Sequence, residues 1–101
     1  MRLPIIEREA YTVSLQPYEE EEQIRHFIHC DIHERWTKTV KRQLQRDFNT
    51  FCDLHKQPLY TLSYTTDAKH HKFLKMFGFH LHKHMTLKNG RVMALYIKTR
   101  N

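Results

Sequence analysis

The segment from Thr66 to Phe79 constrains the fold of this 101-residue chain more than any other. It reads TDAKHHKFLKMFGF and contains one of the chain's two glycines. Asp67 is suited to cap a short helix over Ala68–Phe77, and Gly78 is suited to end that helix because glycine adopts positive φ without strain. The residues on either side favour strands, so the pattern predicts a strand, a short helix and a second strand.

Hydrophobic periodicity predicts the other elements. Ala10–Gln16 alternates and is rich in β-formers, which indicates a strand that Pro17 ends. The acidic residues Glu19–Glu22 favour the first turn of a helix running to about Glu34. Apolar residues at spacings of three and four predict a second helix over roughly Thr37–Lys56.

The C-terminal part predicts three strands. Pro58 precedes the strand Leu59–Thr65, and Asn89-Gly90 is a strong hairpin signal. That hairpin joins the strands Phe79–Leu87 and Arg91–Lys98. The predicted order is strand, helix, helix, strand, helix, strand, strand, in one α/β (α+β) domain over residues 1–101 with a mixed sheet.

Charge divides this domain into two segments. The net charge is +6. Residues 1–34, the acidic strand-helix segment, carry eight acidic and three basic side chains, whereas residues 35–101 carry three acidic and fourteen basic ones. The division suggests one acidic and one basic surface, each able to attract a partner or simply to remain solvated.

Composition favours a cytoplasmic protein. No apolar run approaches the roughly 20 residues that a membrane-spanning helix needs, and Met1–Ala10 lacks the apolar core of a signal peptide. Cys30 and Cys52 do not form the pattern of a disulfide framework. We therefore expect no membrane association and a reducing compartment, bacterial or host.

From Arg35 to Ile97 the order of elements resembles the second half of the GNAT (general N-acetyltransferase) superfamily. In that family a strand leads into a helix that ends in a pattern like N-x-x-A-x-x-x-Y-x-x-x-G-F. Here Thr65–Ala68 and Phe73–Phe79 occupy the matching places. The chain is also similar to small GNAT-like proteins of short-tailed bacteriophages, through its Trp, its basic helix, an H-x-x-F-L-K segment and the final hairpin. The resemblance implies a GNAT-like sheet with a reduced N-terminal half.

Two departures from the family pattern concern its chemistry. GNAT enzymes bind the coenzyme A pyrophosphate with a glycine-containing loop before the long helix, and the corresponding segment here, His33–Val40, has no glycine. The tyrosine that commonly protonates the leaving thiolate is replaced by Leu74, which cannot transfer a proton. Tyr60 or Tyr64 would have to substitute for it, although strand tyrosines more commonly belong to a core.

Three histidine-containing or basic patterns suggest other sites. On the predicted first helix, one face presents a weak metal-site candidate made of His26, His29, Cys30 and His33. His80, His82 and His84 alternate on a strand, opposite Ile97, Leu95 and Met93 if the turn has two residues, as packed histidines or as a pH-sensitive interface. A nucleic-acid surface would use the basic residues Lys38, Lys41, Arg42, Arg46, Lys69, His70, His71, Lys72 and Lys75.

The preferred hypothesis from sequence is a non-catalytic, phage-encoded GNAT-like protein that binds a protein of the host or virion, in the host cytoplasm or in the virion. No cofactor is expected in that case. The residues expected to bind the partner are Lys38, Arg42, Arg46, Glu19, Glu20, Glu21 and Glu22, and a homodimer through the hairpin edge is possible.

The alternative hypothesis is an acetyl-coenzyme A-dependent N-acyltransferase, and nucleic-acid binding ranks third. The residues that the resemblance assigns to the cofactor are Arg35, Thr37, Lys38, Tyr64, Thr65, Thr66 and Asp67. Of these, Arg35, Thr37 and Lys38 would bind pyrophosphate, and the backbone near Tyr64–Thr65 would pair with pantetheine.

Overall fold

The computed structural model describes residues 1–99, which form one six-stranded sheet with two helices. The elements are β1 (Leu3–Glu7), β2 (Tyr11–Glu20), β3 (Gln23–Ile32), α1 (Lys38–His55), β4 (Leu59–Tyr64), α2 (Ala68–Met76), β5 (His80–Thr86) and β6 (Val92–Lys98). The strand order across the sheet is β1-β2-β3-β4-β6-β5, with β3 and β4 parallel and the other neighbours antiparallel.

The mixed α+β class is confirmed, but the predicted first helix is wrong. Its residues form β3, which pairs with β2 along ten positions from Tyr11↔Ile32 to Glu20↔Gln23. Isoleucines and histidines between Ile24 and Ile32 fit the two-residue alternation of a strand as well as the spacing of a helix. Pairing with β2 selects the strand. Glu21 and Glu22 adopt positive φ of 49° and 66° and form the β2–β3 turn, so they do not begin a helix.

Pro17 does not end its strand, because β2 continues to Glu20. The sequence analysis also missed β1, which pairs with β2 from Leu3↔Leu15 to Glu7↔Thr12. The element order is therefore strand, strand, strand, helix, strand, helix, strand, strand. Residues on both sides of position 34 share the sheet, since β3 pairs with β4 at His26↔Leu59 and Phe27↔Tyr60.

Both helices begin and end with local capping interactions. Thr37 Oγ1 accepts the Val40 N–H at 3.2 Å to cap α1, and Asp67 Oδ1 accepts the His70 N–H at 3.1 Å to cap α2. Gly78, with φ of +91°, ends α2, as predicted. The N–H groups of Gly78 and Phe79 donate to Lys75 and Leu74, which are the two bonds of a Schellman motif.

The helices lie on the same face of the sheet, which we call the helix face. Phe48 of α1 packs against Phe77 and Phe79, with ring centroids 6.0 and 5.9 Å apart. Side chains alternate across a strand, and paired residues of neighbouring strands point to the same side of the sheet. The pairing therefore identifies the strand side chains that lie on the helix face. Its buried strand members are Tyr11, Val13, Ile28, Leu59, Thr61, Ser63, Ala94 and Tyr96.

The opposite face, which we call the open face, has no helix against it within residues 1–99. Paired positions place Phe27, Tyr60 and Ile97 in one row across β3, β4 and β6, and Leu62 and Leu95 in the next. Tyr64 and Met93 form a third row. No helix in the described part of the chain has the length and apolar character that crossing a membrane requires.

The hairpin register differs from the prediction by one residue. His80 lies opposite Ile97, as predicted, but an irregularity between Leu81 and Lys83 shifts the rest, so that His84 faces Ala94. The connection spans five residues, 87–91, in which Asn89 Oδ1 accepts the Arg91 N–H at 2.9 Å. The extra residue is absorbed as a bulge at His82. All three histidines are exposed, so the expectation of packed imidazoles is wrong.

Candidate functional site

A cavity opens where β3 and β4 diverge. The two strands are paired only at His26↔Leu59 and Phe27↔Tyr60, and then each continues for several residues without the other. A cleft of about 620 Å³ occupies this divergence. Five consecutive β3 residues, Ile28–Ile32, line it together with Thr61 and Leu62 of β4. Because consecutive strand residues point to opposite faces, the cleft extends through the plane of the sheet.

The helices form the apolar wall of the cleft. Leu44 and Phe48 come from α1, and Phe73, Leu74 and Phe77 come from α2. These positions face the sheet because they recur at spacings of three and four along their helices. The wall suits an apolar ligand segment, while the diverging edges of β3 and β4 present backbone groups that do not pair with each other.

His70 is a polar side chain on the α2 side of the cleft. Its Nδ1 lies 2.7 Å from the hydroxyl of Ser63, which is 2% exposed, and its ring stacks on Phe73 with centroids 6.5 Å apart. Burial lowers the pKa of His70, with a smaller lowering effect from His71 and an opposing effect from Asp67. The neutral form of the ring is therefore favoured, and its Nδ1 is engaged with Ser63.

His29 is the corresponding side chain on the β3 side. Its Nε2 lies 2.8 Å from Gln16 Oε1, and because an amide oxygen only accepts, Nε2 carries the proton. Burial lowers the pKa of His29, Arg2 lowers it further, and Asp31 opposes them. In this neutral tautomer Nδ1 is an acceptor, which suits removal of a proton from an incoming group.

Cys30 also lines the cleft but is not a nucleophile. Burial, followed by the charge of Asp31, raises the pKa of its thiol to about 11. The thiolate is thus a negligible fraction at neutral pH. Burial likewise raises the pKa of Cys52 on α1, which packs against the core.

A groove continues from the cleft along α2, and we call it the basic groove. Ile32, Lys69 and Phe73 line both the cleft and this groove, which adds Glu34, Trp36, Lys72 and Met76. Trp36 packs on Phe73 with ring centroids 5.5 Å apart and so connects the residue before the α1 cap to α2. The groove places two lysines and Glu34 beside the cleft, on a lining surface that is mostly apolar.

The residues that the resemblance assigned to a cofactor are spread around this site. Asp67 lines the cleft, while Arg35, Thr37 and Lys38 are exposed at the start of α1 and Thr65 and Thr66 are exposed beyond β4. The Tyr64 carbonyl already accepts from the Asp67 N–H at 3.1 Å and from His71 Nε2 at 2.8 Å. The Ser63 hydroxyl donates to the same carbonyl at 3.5 Å, so pantetheine contacts with it would compete with three existing hydrogen bonds.

The proposed metal candidates do not meet. On a strand, His26 and Cys30 point to the helix face and His29 to the open face, while His33 bonds Thr12 at 2.8 Å. His26 Nδ1 instead lies 2.9 Å from His55 Nε2 on α1. Across residues 1–99 no group of three or more His, Cys, Asp or Glu side chains is arranged to hold a metal ion.

The partner-binding candidates form two separate surfaces. Lys38, Arg42 and Arg46 are exposed along α1, where a shallow groove is lined by Thr39, Arg42, Gln45, Arg46 and Asn49. The acidic residues Glu19–Glu22 are exposed at the β2–β3 turn.

Sequence reasoning named His29 as a metal candidate and His70 as part of a basic surface, and it placed neither of them in the cleft. The alternation of residues 24–32 was the available signal for His29, but it was assigned to a helix. For His70 the signal was its position one helical turn before Leu74, which places both side chains on the same face of α2. Leu74 lines the cleft. The leucine that stands where the family has a proton-donating tyrosine therefore lies within the site.

At the level of sequence, no family model matches the chain, and no curated protein matches it. Known crystal structures do match its fold, and two of them show how close the likeness is. One is described as the NatC complex bound to Gag peptide and CoA, with a TM-score of 0.64 and 11% identity over 91% of this chain and 62% of that chain. The other is an acetyltransferase of the GNAT family from Streptococcus agalactiae 2603, with a TM-score of 0.63 and 12% identity over 91% of this chain and 60% of that chain.

The fold is therefore GNAT-like, and the expectation drawn from the C-terminal motifs is confirmed. The chain spans less than two thirds of the length of each of these two chains. At 11% and 12% identity the likeness concerns the arrangement of helices and strands and not the activity.

Proposed function

We propose that the protein binds a coenzyme A thioester in the cleft between β3 and β4. The observation that supports this most is the continuity of an apolar, edge-lined cleft with the basic groove. A pantetheine-type ligand has an apolar arm with two amides and an anionic end. The cleft offers apolar side chains and free strand edges for the arm, and the groove offers lysines for the anionic end. The NatC structure of the same fold was determined with CoA, which makes this ligand class the first to test.

The residues of this chain fit such a ligand without a glycine loop. Phe73 and Leu74 would contact the apolar arm, and the edges of β3 and β4 would bond its amides. Lys69 and Lys72 would neutralise the phosphates as point charges. The first turn of α1 adds N–H groups, because Thr37 Oγ1 caps only Val40 and helix starts leave further donors unpaired. Arg35 and Lys38 lie near that turn in sequence.

The cleft also contains a group for proton transfer. When bound, the thioester would supply an activated acyl group. His29 Nδ1 is placed to accept the proton that an amine loses on the open-face side. Leu74 has no proton to transfer and a neutral imidazole at His70 does not protonate a thiolate, so the leaving thiolate takes its proton from water. N-acylation is the reaction class that we assign to the site.

Calorimetric titration with coenzyme A and acetyl-coenzyme A tests the binding. We expect dissociation constants in the micromolar range, about −8 kcal/mol, and about tenfold weaker binding for Lys69→Ala/Lys72→Ala. Lys75→Ala, an exposed lysine of α2 that lines neither the cleft nor the groove, is the control and should leave the affinity unchanged. A folded protein that gives no heat at millimolar ligand, or a control variant that weakens binding equally, would exclude the site.

A second candidate function is non-catalytic binding of a macromolecule of the host or virion. It is supported by the shallow groove along Arg42 and Arg46, which lies apart from the cleft. Arg42→Glu/Arg46→Glu should then abolish capture of a protein partner from host lysate, while Lys69→Ala/Lys72→Ala should not. If the captured species were instead nucleic acid, its binding would fall steeply with salt.

A further inference from the structure

The open face of the sheet carries a connected set of aromatic and arginine side chains. Tyr18 packs edge-on against Phe27 with ring centroids 6.2 Å apart, and Phe27 lies 5.8 Å from Tyr60. The Arg25 guanidinium lies 5.5 Å from the centroid of Tyr60. Farther along β4, Arg91 lies 5.2 Å from the centroid of Tyr64.

The aromatic part of this surface is accessible, whereas Met93, Leu95 and Ile97 of β6 are buried. Tyr18 is 53% and Tyr64 51% exposed, and Phe27, Tyr60 and Leu62 are half-buried. Both helices lie on the other side of the sheet, as the contact between Phe48 and Phe79 and the bond between His70 and Ser63 require. Contiguous apolar patches of this kind in soluble proteins commonly mark interaction sites.

Opposite charges lie at two diagonal corners of the open face. Glu19–Glu22 form the β2–β3 turn, which we call the acidic turn, at the end of the sheet where β4 begins. Lys88 and Arg91 belong to the β5–β6 connection, which we call the basic turn. It lies at the end where β4 finishes, because Tyr64 pairs with Met93 near the start of β6. The strand order places β2 and β5 on opposite sides of the sheet.

We propose that two copies of this chain associate through their open faces about a twofold axis. If the axis runs in the interface along the other diagonal, the acidic turn of each copy meets the basic turn of its partner. The arrangement is closed and isologous, so it forms a dimer and not a filament. Charge complementarity at both corners then sets the orientation, and the exposed aromatic side chains between them lose contact with water.

The size of the face is sufficient for a specific interface. The five strands from β2 to β5 in the sheet order, about 4.8 Å apart and about 20 Å long, cover roughly 500 Å² in projection on each copy. Two such faces give roughly 1,000 Å², the size at which specific interfaces begin, and the two turns add to it. His29 and Leu62 line the cleft and point to this face, so the second copy would lie beside the open-face entrance of the cleft.

Sedimentation velocity of the full chain between about 1 and 100 μM protein tests the proposal, and it requires no coenzyme. We expect a concentration-dependent dimer that weakens with salt, since charges at the corners contribute to orientation. Glu19→Lys/Glu20→Lys/Glu21→Lys/Glu22→Lys and Lys88→Glu/Arg91→Glu should each be monomeric, since like charges then meet at both corners. An equimolar mixture of the two variants should form a heterodimer, because opposite charges face each other again.

Two further variants complete the test. Tyr64→Glu places a charge in the apolar rows and should also prevent dimer formation, whereas Arg42→Glu/Arg46→Glu, on the exposed side of α1, should leave it unchanged. Circular dichroism confirms that each variant is folded. The proposal is overturned if the folded wild-type protein is monomeric at 100 μM, if the mixed variants stay monomeric, or if the α1 variant dissociates the dimer as well. A monomer that binds oligo(dT) through Tyr64 would assign the face to single-stranded nucleic acid instead.

Discussion

On the helix face of the sheet, Phe48 packs between Phe77 and Phe79 and is 3% exposed. On the open face, the Tyr60 ring contacts Phe27 and the Arg25 guanidinium, yet Tyr60 is only half-buried. Both arrangements bring large rings together across elements. They differ because a helix layer excludes water from the first and, within residues 1–99, covers none of the second. Stability should therefore depend on the helix face, and recognition on the open face.

The largest expected effect separates the two faces directly. Phe48→Ala should lower the free energy of unfolding by about 3–5 kcal/mol, because it removes a buried ring and leaves a cavity. Tyr64→Ala, on the open face, should lower it by less than about 1 kcal/mol. Urea denaturation monitored by circular dichroism measures both. Equal losses would mean that the open face is as much part of the core as the helix face.

The next effect concerns the polar anchor at the edge of the helix face. Arg8 donates two hydrogen bonds to Asp47 at 2.9 and 3.0 Å, and the buried Tyr11 hydroxyl donates a third at 2.6 Å. Asp47→Ala should cost about 1–3 kcal/mol, since it leaves the tyrosine hydroxyl without its acceptor. Asp53→Ala, an exposed acid on the same helix, is the control and should be nearly neutral.

The same anchor should make stability depend on acid. The hydrogen bond from Arg8, then that from Tyr11, lowers the pKa of Asp47 below its usual value, against an opposing effect of burial. A carboxyl whose pKa is lower in the folded state contributes stability above its unfolded pKa, near 3.9, and this is lost as pH falls through the folded pKa. Unfolding midpoints from pH 5 to pH 2 should therefore fall less in Asp47→Ala than in the wild type.

Histidines that contact the helix face should cause a separate, smaller loss of folding stability, which begins at a higher pH than the loss due to Asp47. Burial lowers the pKa of His70, and burial followed by the charge of His26 lowers that of His55. The unfolded chain then takes up protons first, so stability is present above the unfolded pKa, near 6.5, and falls as pH decreases toward the folded values. Thermal unfolding between pH 8 and pH 5 measures it. His70→Gln should flatten the profile, whereas the exposed His82→Gln should not.

The smallest expected effect lies on the open face. Arg25 stacks on Tyr60 and makes only a 3.8 Å ion pair with Glu20. Arg25→Gln should change the free energy of unfolding by less than about 1 kcal/mol, because exposed cation–π and ion-pair contacts are weak. A loss of several kcal/mol would show that this cluster is structural. Comparison with Arg91→Gln, over Tyr64, would tell whether the two stacked arginines are equivalent.

Sequence alone predicted the C-terminal part of the fold because its signals are local. Asp67 and Gly78 set the two ends of α2 through bonds within a few residues, and α1 follows from its apolar stripe. The N-terminal prediction of a helix over residues 19–34 was wrong because these residues satisfy two periods. Pairing with β2, which is not local, decided for a strand. The metal candidates were wrong for the same reason.

The helix caps, the hairpin and the absence of a glycine before α1 could be recognised from sequence, because each of them depends on neighbouring residues. Tertiary structure alone decided where β3 and β4 diverge, and so created the cleft and brought His29 and His70 to its two sides. It also decided which face of the sheet the helices cover. These features depend on pairings between distant residues, whose free energy no short segment contains.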